Sequence, residues 1–189
     1  MKKLIIISLL LFSGCDLFTN RDPEKPDSAR SNYLPATTYD ILFSNLKNSL
    51  QEKVLENYMA CFVDQSFIGV PFVFYASSDA IAKFPTLNDW NLDSERQYFN
   101  NLINSTTPKT PIILNLQNEI KNAMGDSAVF QYDYILTLSP TNENIPSVFK
   151  GNLKFFIYLD SRNQWAIGRW EDIALDENPT WSELKGAMY

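Results

Sequence analysis

The chain is 189 residues long, with 16 Lys and Arg against 22 Asp and Glu, no histidine, six glycines and two cysteines. Its net charge of −6 excludes nucleic acid as a partner, because that binding needs a basic patch to release counterions. Without histidine there is no Ser-His-Asp or Cys-His nucleophile, no histidine-based zinc site and no His-Asp dehydratase pair. No phosphate-loop motif accompanies the few glycines, so no nucleotide cradle, cofactor or metal site is expected.

The first residues have three parts: a positive head (Met1-Lys2-Lys3), an apolar run over 4–12 broken only by Ser8, and Ser13-Gly14 before Cys15. That is the build of a secretory signal. Nine residues fall far short of the ~20 needed to span a bilayer as a helix. Phe12-Ser13-Gly14-Cys15 resembles the lipobox of bacterial lipoproteins, departing from it at Phe12, where Leu, Val or Ile is usual. The resemblance implies cleavage before Cys15 and acyl chains, palmitate among them, on its sulfur and amine. Each buried methylene contributes about 0.8 kcal/mol, so two or more chains anchor the protein to a membrane of the cell envelope. Loss of Lys2 and Lys3 leaves 14 basic against 22 acidic side chains, a charge of −8. Anionic lipid heads therefore repel the mature chain, and the lipid itself must do the anchoring. Asp16 after Cys15 resembles an inner-membrane retention signal in some bacteria, while acidic residues nearby accompany surface export in others. The side of the envelope stays open.

From 16 to 35 the sequence is polar and interrupted by Pro23, Pro26 and Pro35, which forbids a regular helix. The expected organisation is a signal over 1–14, a lipidated cysteine and flexible tether over 15–36, and a single domain over 37–189. Asp27-Ser28-Ala29 in the tether matches an O-glycosylation acceptor, but a solvated linker is the expectation. Thr37 or Thr38 caps a helix whose apolar face holds Tyr39, Leu42, Phe43, Leu46 and Leu50. The phase breaks near residues 51–53, and Val54, Leu55, Tyr58, Met59 and Phe62 form a second stripe. Cys61 sits in that stripe as a small hydrophobe, and with Cys15 lipidated it has no disulfide partner. Residues 67–75 read as a strand, with Pro71 placing it at an edge or bulge. Asp93 or Ser94 starts a helix within 90–103 that buries Tyr98, Phe99 and Leu102.

The last third alternates. Strands over 112–121 and 128–138 flank a Met124-Gly125-Asp126-Ser127 turn. A strand over 149–160 turns through Asp160-Ser161-Arg162-Asn163 into 165–170. Helices followed by a long antiparallel meander give an α+β class, with N-terminal helices packed on a strongly curved antiparallel sheet.

This order of elements resembles the nuclear-transport-factor-2-like superfamily, in which helices close a bent sheet into a cone with a cavity. The residues that carry the resemblance are Trp165-Ala166-Ile167-Gly168-Arg169-Trp170-Glu171-Asp172 and Trp181-Ser182-Glu183-Leu184-Lys185-Gly186, with helices over 39–62 and 90–99, Glu95 included. They are similar to the end of uncharacterised envelope lipoproteins of that superfamily, which also contains enzymes and plain binding modules.

Ketosteroid-isomerase-like members use a cavity aspartate as base, with a tyrosine and a protonated aspartate as oxyanion donors; the enzyme is a well-known instance of pKa tuning. The candidate catalytic residues here are Asp64, Tyr132, Tyr134 and Arg169, with Asp133 and Asp172 as further carboxylates. By alternation Asp133 faces away from Tyr132 and Tyr134, so these three cannot share a wall. Asp64, at a helix end, reads as a turn residue. Arg169, on the face of Trp165 and Ile167 by the same alternation, reads as a salt bridge or a guanidinium on an aromatic face. Trp165, Trp170 and Trp181 could line a ligand site, yet aromatic clusters of this kind usually mark a core. Glu171-Asp172 and Asp176-Glu177 lack the spacing of a calcium loop, and Asn104-Ser105-Thr106 fits a glycosylation acceptor only formally. The expectation is an envelope lipoprotein whose domain binds a small apolar ligand, a peptide or an envelope protein without catalysis. An isomerase- or cyclase-type enzyme and an assembly component are the alternatives.

Overall fold

The computed structural model describes residues 31–189; the expected signal, Cys15 and most of the tether lie outside the described residues. The last six tether positions are tied to the domain. Glu52 accepts hydrogen bonds from Ser31 and Asn32, Asn45 brackets the Leu34 backbone, and the Ala36 carbonyl receives the Trp165 N–H.

Helix α1 runs Tyr39–Glu52, with the Thr38 hydroxyl capping the Ile41 N–H. It ends where Lys53 takes a left-handed conformation (φ 56°), the origin of the break in hydrophobic phase. After it come α2 (Leu55–Met59), β1 (Val73–Tyr75), α3 (Ser78–Lys83), a 3-10 turn (Pro85–Asp89) and α4 (Leu92–Asn104). The cap of α4 is Asn91, whose carbonyl oxygen accepts from the Asp93 and Ser94 N–H groups. Asp93 and Ser94, expected as caps, are thus the residues being capped. Four long strands follow, β2 (Ile113–Met124), β3 (Ser127–Thr137), β4 (Val148–Leu159) and β5 (Trp165–Ile173), and then α5 (Trp181–Met188).

The sheet order is β1-β5-β4-β3-β2. Strands β2 to β5 form the expected antiparallel meander, with Gly125 at φ 58° in the tight β2–β3 turn. The sheet as a whole is mixed, however, because β1 joins the free edge of β5 in parallel. The strand expected over 67–75 shrinks to three residues. Phe67 and Ile68 donate instead to the Asp64 carbonyl in a turn, and Pro71 has no N–H to offer a ladder. The other half of that edge is covered by residues 61–63, with Ile167 bonded to Cys61 and Val63.

Two bulges bend the sheet, as an extra residue on one strand does. In β2, Asn118 (φ 53°) and Glu119 together oppose Tyr132. In β5, Gly168 is the extra residue: Arg169 pairs with Phe156, but Ile157 pairs with Ile167. Simple alternation therefore fails across Gly168. Trp165, Ile167, Trp170 and Asp172 share the concave face, while Arg169 and Glu171 turn to the convex one. All the main helices lie on the concave side. Phe43 of α1 packs against Phe130, Tyr132 and Phe155 at ring separations of 4.9, 5.4 and 6.0 Å, and α5 closes the mouth against β4 and α4.

At Gly168 a Cβ would lie 2.7 Å from the Tyr158 ring and 3.2 Å from Val63. Gly168→Ala is expected to cost about 1–3 kcal/mol by overpacking, read as a lower urea midpoint at unchanged slope.

Candidate functional site

The concave face, where this architecture can hold a cavity, is occupied by side chains. Trp170 and Trp181 meet edge to face at 4.6 Å, Tyr58 stacks on Phe99 at 3.9 Å, and Phe155 lies 5.2 Å from Trp170. All five are buried to 0% exposure. Within this apolar packing sit three charged groups, Glu95, Lys185 and Asp172, each buried as well.

Glu95 arrives from α4 and Lys185 from α5, and the two form an ion pair at 0% exposure on both sides. One Glu95 oxygen also accepts the Tyr58 hydroxyl at 2.5 Å and the other the Trp90 indole N–H at 2.6 Å. Burial pulls the Lys185 ammonium down to about 8, against the opposing pull of the Glu95 carboxylate. Asp172, on β5, accepts the Tyr134 hydroxyl at 2.8 Å on one oxygen and the Ser182 N–H and hydroxyl on the other. Burial raises its carboxyl above the ordinary range, with those donors resisting. The chain of bonds continues, because Tyr134 accepts the Trp181 N–H at 2.6 Å and the Trp181 indole donates to Tyr98 at 2.8 Å. The network ties α5 to α4, β3 and β5, and every carboxylate oxygen in it is occupied. Surface clefts of about 230–500 Å³ have none of these three charges in their walls.

The candidates read from the sequence are scattered. Asp64 is exposed and accepts the Ser66 N–H, whose backbone bond lowers its carboxyl. Tyr132 donates to Glu119 at 2.6 Å beside the β2 bulge, away from Tyr134, which faces Asp172. Asp133 points to the convex side, between Asn118 and Asn152. Arg169, expected on the face of Trp165, is on the opposite one because of the Gly168 bulge. There it pairs with Glu171 and lies 4.8 and 4.5 Å from the Tyr75 and Phe156 rings. Trp165, Trp170 and Trp181 are core residues, and the Trp170 indole N–H donates to nothing. Cys61 is buried with its thiol pushed up by desolvation, which leaves no thiolate for chemistry. Sequence reasoning assigned Glu95 and Lys185 no role. A signal was there: Glu95 falls on the stripe of Tyr98, Phe99 and Leu102, and Lys185 on that of Trp181, Leu184 and Met188.

Glu95→Ala strands the Lys185 charge and is expected to destabilise by about 3–5 kcal/mol; replacing the pair together, Glu95→Leu with Lys185→Met, restores most of that. Urea unfolding of the three chains measures both. Asp172 also sets a pH dependence. Its stabilisation is fully present below the ordinary carboxyl value of about 3.9 and is lost as the pH climbs from there through the raised folded value. Asp64, Asp133 and Asp176, held low by hydrogen bonds, behave oppositely and lose theirs as the pH falls. Asp172→Asn removes only the first contribution, so its melting temperature should drop more steeply than that of the wild type as the pH is lowered toward about 4.

No family model matches the chain. No curated protein matches it either. Solved structures do. A protein of Novosphingobium aromaticivorans DSM 12444, provisionally named a scytalone dehydratase, superposes with a TM-score of 0.54 at 13% identity, covering 75% of this chain and 89% of that one. One provisionally named an aromatic ring hydroxylase, from Novosphingobium aromaticivorans DSM, gives 0.53 at 14%, over 77% and 92%. A protein of unknown function from Pseudomonas putida KT2440, described as NTF2-like, gives 0.51 at 11%, over 73% and 84%. Likeness at this identity speaks for architecture alone, and the architecture is that of the nuclear-transport-factor-2-like fold.

Proposed function

We propose that the protein is a cell-envelope lipoprotein, held to a membrane by acyl chains on Cys15, and that its cone is a non-catalytic module meeting its partner on the outer surface. The observation that carries the second half is the filled interior. A cavity enzyme needs a carboxylate with a raised pKa and a donor still free to reach the substrate. Asp172 has the raised value and a tyrosine at 2.8 Å, which is what favours the isomerase- or cyclase-type alternative. But the Tyr134 hydroxyl spends its proton on Asp172 and accepts from Trp181, and the space above is taken by Trp170 and Trp181. Both groups are consumed in fastening α5.

What supports a surface partner is the cleft of about 500 Å³ between α2, the start of α4 and the β4–β5 turn. Met59 and Leu92 give it an apolar floor within a polar rim that includes Glu56, Asp64 and Asp93, and Arg96 and Arg162 stand at its edge with their carboxylates Glu56 and Asp160. A peptide with both apolar and charged side chains fits that description better than an ion. The lipid anchor is supported by residues 1–15 of the sequence.

Metabolic labelling with a fatty-acid analogue tests the anchor: wild type should take up label and fractionate with membranes, and Cys15→Ala should do neither. Label retained by Cys15→Ala would overturn it. For the module, Met59→Asp is expected to abolish co-purification of the partner from detergent-solubilised membranes while the near-ultraviolet circular dichroism stays that of the folded domain, whereas Asp172→Asn should leave co-purification intact. The reverse pattern would favour the interior.

A further inference from the structure

The surroundings of the Lys185 ammonium are built like a receptor. Its Nζ lies 4.0 Å from the centre of the Trp170 ring, 4.5 Å from Phe74, 4.8 Å from Tyr98 and 5.3 Å from Trp90. The Glu95 carboxylate closes the remaining side. Ring faces attract a cation through their quadrupole, and the attraction grows when water is excluded. None of these groups belongs to α5: Phe74 comes from β1, Trp90 precedes α4, Glu95 and Tyr98 lie on α4, and Trp170 on β5. Tyr58 and Trp90 orient Glu95 without help from the lysine. Simple filling of this space would be served as well or better by Leu or Met, since a buried ion pair is seldom more stabilising than apolar packing of the same volume.

We propose that the cone contains an alkylammonium-binding site, formed by Glu95 and the Phe74, Trp90, Tyr98 and Trp170 rings, which the chain fills with its own Lys185. The ligand class is a primary amine on a short unbranched apolar stem. The carboxylate selects the charge, the rings select a cation over a neutral group, and the apolar walls take the stem. The inference is independent of the membrane anchor and of the surface cleft.

Lys185→Ala in the full chain removes three carbons and the ammonium, the size of propylammonium, and leaves a cavity beside Glu95. Buried cavities of this kind admit small ligands of matching chemistry. Propylammonium chloride should raise the melting temperature of Lys185→Ala saturably, by about 3–6 °C at ten times its dissociation constant. 1-Propanol and sodium chloride at the same concentrations should not, and the wild type, already occupied, should not respond to the amine. In the double variant Glu95→Gln with Lys185→Ala the amine response should vanish, because the selecting charge is gone. Equal responses of Lys185→Ala to amine and alcohol, or of the single and double variants to the amine, would overturn the proposal. Should Lys185→Ala be unfolded at 25 °C, the same titration reads recovery of the near-ultraviolet circular dichroism. Recovery with amine alone supports the site; none, or recovery with alcohol as well, refutes it.

Discussion

A charge removed from water has to be surrounded completely, and in this domain the surrounding is assembled from parts far apart in the chain. Lys185 near the C-terminus meets Glu95 in α4, and Glu95 is held by Tyr58 from α2 and Trp90 from the preceding turn. Asp172 is completed by Tyr134 in β3 and Ser182 in α5. Glu95 therefore fixes α5 against α2 and α4, and Asp172 fixes α5 against the sheet. Hydrogen-bonded charges are matched in one register only, since a shift of α5 along the sheet would leave a buried ion unpaired.

The same constraint separates this domain from what its architecture permits elsewhere. A bent sheet closed by helices can enclose a cavity, and the solved structures of like fold carry provisional names from dehydratase and hydroxylase chemistry. Here the cone is closed from within. Trp170 enters from the sheet, Trp181 from α5, and the polar atoms around them satisfy one another. A shared fold carries no function across by itself; what distinguishes this cone is the side chains that fill it.

Much of the architecture was legible in the sequence, because most elements obey one period at a time. Phe130, Tyr132, Tyr134 and Leu136 alternate cleanly in β3, and the Gly125 turn fixes the β2–β3 register. What escaped was what breaks a period. Gly168 adds one residue to β5 and moves Arg169 to the other face; a lone glycine inside a strand was the one local sign of a bulge, and plain alternation overlooked it. The β1–β5 pairing joins Val73 to Arg169, a long-range contact without a local pattern, so the sheet was expected to be antiparallel throughout. The buried charges escaped for a different reason. A lone Glu or Lys at the margin of an apolar helix face normally reaches water along its own stem, and only the meeting of two such residues from separate helices makes both dry.

The placement of α5 bears on the integrity of the domain. Its eight residues contribute Trp181, Leu184, Lys185 and Met188 to the interior and supply the partner without which Glu95 would be an uncompensated ion. Ser77 bonds across more than a hundred positions to Thr180 and Ser182. The last helix is therefore a structural part of the core rather than an appendage: without it Glu95 loses its counter-ion and the sheet loses the side chains that close its mouth.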